Sequence, residues 1–108
     1  MKSSPKDESD DMTVKIIGMI RLKDLQAFDV YRSRVGATVE QYGGAVAARG
    51  TVDKTYWNEL PCSEFGAFVE LSFPSAEHAD RWAASPEYQS IVSVRQDAMD
   101  LTLFRVVT

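Results

Sequence analysis

The sequence predicts an α+β domain with the element order β-α-β-β-α-β and a four-stranded antiparallel sheet. Three observations carry that prediction. Residues 13–22, 66–73 and 101–107 are rich in β-branched and aromatic side chains at the two-residue spacing of strands. Residues 24–42 and 75–99 instead repeat apolar side chains every three or four positions, the period of helices packed on one side. The chain has 108 residues and 44% hydrophobic content, which suits one compact domain and leaves little room for a second.

The first strand, TVKIIGMIRL over 13–22, sends Val14, Ile16 and Ile20 to one face and Ile17 and Met19 to the other. Asp24 then stands where a helix N-cap belongs. Leu25, Phe28, Tyr31, Val35, Val39 and Tyr42 form the stripe of a helix that Gly43-Gly44 ends, because glycine adopts the left-handed conformation at C′ without a Cβ penalty. AVAARGTV, 45–52, reads as the second strand. The polar stretch 53–65, holding Tyr56, Trp57 and Cys62, reads as a connecting loop able to shape a pocket.

In the third strand, 66–73, Phe68, Glu70 and Ser72 share one face while Val69, Leu71 and Phe73 share the other. Pro74 breaks it, and Ser75 caps a helix carrying Ala76, Ala79, Trp82 and Ala83. Ser85-Pro86-Glu87 is a second helix start: a capping serine, proline at N1 and an acid in the first turn. Tyr88, Ile91, Val92, Arg95 and Met99 continue the helical spacing, and LTLFRVV, 101–107, is the last strand.

This order is the split ferredoxin-like arrangement. Two helices cover only one face of a four-stranded sheet, yet the strands carry apolar side chains on both. An exposed apolar face of that extent is a liability in a monomer. The expectation is a homodimer in which two sheets pack face to face.

The run Phe73-Pro74-Ser75-x-Glu77-x-Ala79-x-x-Trp82-x-x-Ser85-Pro86-Glu87-Tyr88-Gln89, followed by Arg95 and Ala98, resembles the DUF1330 family. Tyr42-Gly43-Gly44, Ala48-Arg49-Gly50 and Phe28-x-x-Tyr31 extend the resemblance over roughly residues 13–108. It implies the dimeric α+β barrel fold, in agreement with the two-faced strands. The segment containing Tyr56, Trp57 and Cys62 departs from the shorter turn of many relatives.

Composition narrows the function. Twelve Lys and Arg against 16 Asp and Glu give a net charge of −4, without the basic footprint of a nucleic-acid binder or a polybasic membrane patch. One Cys and one His build neither a disulfide framework nor a structural zinc site. No glycine-rich phosphate loop is present, so no cofactor and no metal are expected. Residues 1–12 hold four acids and no apolar segment, so they read as a disordered acidic tail rather than a signal peptide, and the expected compartment is the cytoplasm.

The sole histidine, His78, falls in the first turn of a helix and reads as a bystander; Cys62 has no recognisable histidine partner for nucleophilic work. Glu70 is the more informative group, since a carboxylate mid-strand on an apolar face must be paired or shifted in pKa. Arg49 is its expected partner, or a clamp for an anionic or enolate oxygen. These two are the candidate catalytic pair. Tyr42, Tyr56, Trp57, Phe68, Tyr88 and Arg95 are candidate substrate-binding residues, the aromatics supplying large walls with polar tips. The resulting expectation is a cofactor-independent enzyme that performs acid/base chemistry on a small organic molecule, an isomerisation, cyclisation or lyase-type step. The alternatives are a cofactor-independent oxygenase and a non-catalytic ligand-binding or accessory dimer.

Overall fold

The computed structural model describes residues 13–60 and 64–108. The acidic segment 1–12 and Cys62 lie outside these. Strand β1 (Val14–Leu22) leads into helix α1 (Leu25–Gln41), followed by β2 (Ala45–Thr51) and β3 (Ala67–Phe73). Three short helices come next, α2 (Ala76–Ala84), α3 (Pro86–Gln89) and α4 (Val92–Ala98), before β4 (Met99–Val107). The strands form one antiparallel sheet in the order β2-β3-β1-β4, the ferredoxin-like α+β topology expected from the sequence.

The caps form where the side chains call for them. Asp24 accepts hydrogen bonds from the backbone N–H groups of Gln26 and Ala27, Ser75 from His78, and Ser85 from Tyr88. Gly43 takes φ +84° at the end of α1. The next residue is held for a steric reason: a Cβ on Gly44 would lie 2.6 Å from a ring carbon of Phe73 and 2.8 Å from the carbonyl oxygen of Ser72.

One expectation from helical spacing is corrected. The segment after Ser85 is two helices rather than one, because Ile91 leaves helical geometry and turns its side chain into the core. Met99, read as the end of that helix, is instead extended and opens β4. Its apolar side chain is buried in either case, so periodicity alone does not distinguish the two.

All helices cover one face of the sheet. Val14, Ile16 and Ile20 of β1 and Leu71 and Phe73 of β3 are buried beneath them, with Trp82 and Val39 at the centre. The Trp82 ring packs against Phe73 and Tyr88, and its Nε1 donates to Thr38 Oγ1 at 3.0 Å, so a buried indole has its polar atom satisfied. Among the described residues no helix covers the opposite sheet face. Register places Ala48, Glu70, Ile17 and Phe104 in one row across it, with Met19 beside Phe68 and Lys15 beside Ser72. Among the described residues no helix is long and apolar enough to cross a membrane.

Candidate functional site

A cavity of about 440 Å³ lies between α1 and the sheet. Its wall includes Leu22 and Leu25, where β1 runs into α1, and Thr51 and Ala67, where the β2–β3 connection leaves and returns. The cavity therefore opens at that end of the domain. Val35, Leu71, Trp82 and Met99 line it on the core side, so most of its surface is aliphatic or aromatic. An apolar chamber with few polar groups is the usual build of a small-molecule site.

The polar groups on its wall are few. They are Asp29, Tyr31 and Arg32 from α1, and Arg49 and Thr51 from β2. The guanidinium of Arg32 lies 5.6 Å from the centroid of the Phe28 ring, an adjacent wall residue. Arg49 is exposed and lines the cavity from β2, the edge strand of the sheet.

Arg49 reaches that position through a β-bulge. Val46 pairs with Leu71, but the next regular pair is Ala48 with Glu70, leaving Ala47 as an extra residue. Regular alternation would put Arg49 on the face of Phe68 and Glu70. The bulge reverses the parity, so Arg49 pairs with Val69 and shares the helix-covered face.

The expected contact between Glu70 and Arg49 is therefore corrected: the two side chains lie on opposite faces of the sheet. Glu70 pairs instead with Lys15, Nζ to Oε2 at 3.1 Å, on the open face. Glu70 does not line the cavity, whereas Phe68, from the same strand, reaches its wall.

The remaining predicted residues fall into three places. Tyr42 lies at the end of α1, where its hydroxyl donates to Glu87 Oε1 at 2.7 Å. That bond holds the Glu87 carboxyl below its ordinary pKa and raises the Tyr42 phenol. Tyr56 and Trp57 project from the β2–β3 connection, 75% and 80% exposed, with ring centroids 6.4 Å apart and the Lys54 ammonium 5.1 Å from the Tyr56 ring. Tyr88 and Arg95 stand behind the cavity wall: Arg95 Nη1 donates to Tyr88 Oη at 2.9 Å, and that oxygen lies 2.9 Å from the Oη of Tyr31.

The sequence places Tyr31 in the α1 stripe and does not single out Asp29 and Arg32, which share the cavity wall with it. The available signal was their position. Both charges flank the Phe28–Tyr31 edge of the α1 stripe, in the half of the helix nearest the opening. His78 Nδ1 lies 2.7 Å from Ser75 Oγ, a contact within its own helix cap.

The same architecture occurs in solved structures. A protein of unknown function from Rhodopseudomonas palustris, RPA0582, superimposes with a TM-score of 0.76 at 17% identity, covering 99% of this chain and 95% of that one. SnoaB, a cofactor-independent oxygenase from Streptomyces nogalater, gives 0.64 at 9% identity over 90% and 93% of the two chains. The hydroxynitrile lyase from Passiflora edulis gives 0.65 at 15% identity over 91% and 94%. At such identities the likeness establishes the fold. No curated protein matches the chain. The family profile described as a domain of unknown function, DUF1330, matches residues 13–108, and the chain belongs to that family.

Proposed function

We propose that this domain is a small-molecule enzyme that binds a mostly apolar ligand with an anionic or enolic oxygen and performs cofactor-independent acid/base chemistry on it. An isomerisation, cyclisation or lyase-type step fits this description. The observation that carries the proposal is an apolar cavity whose few polar groups include an arginine turned inward by a bulge. Arg49 holds the anionic oxygen. Among the described residues Asp29 is the one carboxylate on the cavity wall, and it is the group we assign to proton movement in place of Glu70. The working form is a cytoplasmic homodimer joined through the open sheet faces. The fold is shared with a cofactor-independent oxygenase, which makes oxygenation of an enolisable ligand the second reading.

Trp82 lines the cavity and Trp57 is the other tryptophan of the chain, so Trp57→Phe leaves Trp82 as the only indole fluorophore. In that background, naphthoic acid should perturb the emission saturably. Arg49→Gln should weaken its binding by about tenfold while leaving neutral naphthalene unaffected, because only the charged contact is lost. If neither compound perturbs Trp82 in the folded protein, the cavity is not a ligand site. A ligand recovered chemically unchanged after long incubation, with and without oxygen, would assign the domain to binding without turnover.

A further inference from the structure

Hydrogen-bond accounting on the core side of the cavity leaves one phenolic hydrogen unspent. Tyr31 lines the cavity, and among the described residues its hydrogen-bond partner is Tyr88, oxygen to oxygen at 2.9 Å. Arg95 donates to the same Tyr88 oxygen at 2.9 Å, its guanidinium also 5.8 Å from the centroid of the Tyr88 ring. Two hydroxyls carry two hydrogens, and the bond between them consumes one. A guanidinium donates and never accepts, so the Arg95 side offers no acceptor for the other.

The fixed positive charge decides the direction of the chain. A hydroxyl that accepts from a cation is polarised and becomes the better donor, so the order runs from Arg95 to Tyr88 to Tyr31. The remaining hydrogen then belongs to Tyr31. Burial is the largest cause that pushes the Tyr31 phenol well above its ordinary pKa, so this group remains neutral. The aromatic packing of Tyr31 edge-on to Tyr88, and of Tyr88 on Trp82, fixes both rings.

A neutral, buried O–H on a residue that lines an apolar chamber complements the oxygen of a ketone, and complements it better still as that oxygen gains negative charge. We infer that Tyr31 is the donor that receives the carbonyl oxygen of the cavity's ligand, that Tyr88 and Arg95 are positioning residues for its hydrogen, and that the ligand belongs to the class of carbocyclic or aryl ketones. This inference rests on the cavity being a ligand site.

Two probes isolate the carbonyl: 1-tetralone and tetralin share one ring system and differ by that oxygen. Calorimetric titration of the full chain should show 1-tetralone binding about fivefold more tightly than tetralin, the size of one net hydrogen bond. Tyr31→Phe should abolish the preference and leave tetralin affinity unchanged. The carbonyl stretch of bound 1-tetralone should lie below its value in hexane and return towards it in Tyr31→Phe. Tyr88→Phe and Arg95→Met should move the stretch part of the way while tetralin binds as before, which loss of packing alone would not produce.

Equal affinity for the two probes, or a preference and stretch that survive Tyr31→Phe, would overturn the role of Tyr31 while leaving the cavity as a ligand site. Binding of neither probe would overturn both. If Tyr31→Phe fails to fold, the stretch in the unmodified protein still decides, and a value equal to that in hexane refutes the inference.

Discussion

In β2 a single bulge offsets an extra alanine and so determines which face Arg49 presents. Because side chains alternate along a strand, regular pairing of Ala47 would put every later residue of β2 on the other side of the sheet relative to β3. Deleting Ala47 should restore regular pairing and keep Arg49 opposite Val69, on the helix-covered side. The expected result is a folded protein whose carboxylate-ligand affinity stays near that of the unmodified chain, whereas Arg49→Gln lowers it about tenfold, measured by Trp82 emission. Glu70→Gln should leave the same affinity unchanged, since Glu70 pairs with Lys15 outside the cavity. The Tyr42–Glu87 pair makes a different prediction, in pH. Glu87 is lowered by the Tyr42 hydroxyl, so its contribution to stability is present above the ordinary glutamate pKa and lost as pH falls through the folded value. Tyr42 is raised by Glu87, so its contribution is present below the ordinary tyrosine pKa and lost as pH rises through the folded one. The melting temperature of Tyr42→Phe should therefore lie below that of the unmodified protein near neutrality, and the gap should close at both acid and alkaline extremes.

At the scale of elements, the junction of α1 with the helices after β3 is held by two buried polar contacts, Tyr31 with Tyr88 and Thr38 with Trp82. Thr38 Oγ1 accepts from Trp82 Nε1 and itself donates to the Val35 carbonyl at 2.7 Å. Thr38→Val keeps the shape and strands the indole N–H, so denaturant titration should show a loss of roughly 1–3 kcal/mol. Gly44→Ala forces a Cβ against Phe73 and the Ser72 backbone and should cost about 2 kcal/mol by the same measurement. These elements were legible in the sequence because their signals are local: the caps at Asp24, Ser75 and Ser85, the terminator Gly43, and the two-residue alternation of β1 and β3 all appear within a few positions of where they act. The break at Ile91 was not legible, since Ile91 and Met99 are buried whether the backbone is helical or extended. Nor was the Ala47 bulge, which is a relation between β2 and β3 and leaves no mark in AVAARGTV itself. The candidate site inherited that blind spot. Arg49 was given the wrong neighbour, and the place of Tyr31 beside Tyr88 and Arg95, 57 and 64 positions further on, is set by packing between helices that the α1 sequence alone does not record.

At the scale of the whole molecule, the asymmetry of the sheet is the dominant fact. The helices bury one face, while the other carries Ile17, Met19, Phe68 and Val106 half-buried and Phe104 at 43% exposure, with no element over them among the described residues. Water against that much apolar surface is unfavourable, and a second copy offers the same row of side chains in return, the self-complementarity that a two-fold interface requires. Glu70 and Lys15 fit this picture as an ion pair formed on the same face, which lowers the desolvation cost of covering either charge. Light scattering should give a mass near twice 12.1 kDa at micromolar concentration. Phe104→Glu places a carboxylate in the row of Ile17 and Glu70. In a dimer it would meet its symmetry mate's apolar face and like charges, so dissociation to monomer should follow with the circular dichroism of the fold retained. The cavity lies on the helix side of the sheet, so the monomeric variant should still bind the cavity's ligand. A monomeric unmodified chain would refute assembly through the sheet, and a Phe104→Glu dimer of unchanged affinity would move the interface to another surface.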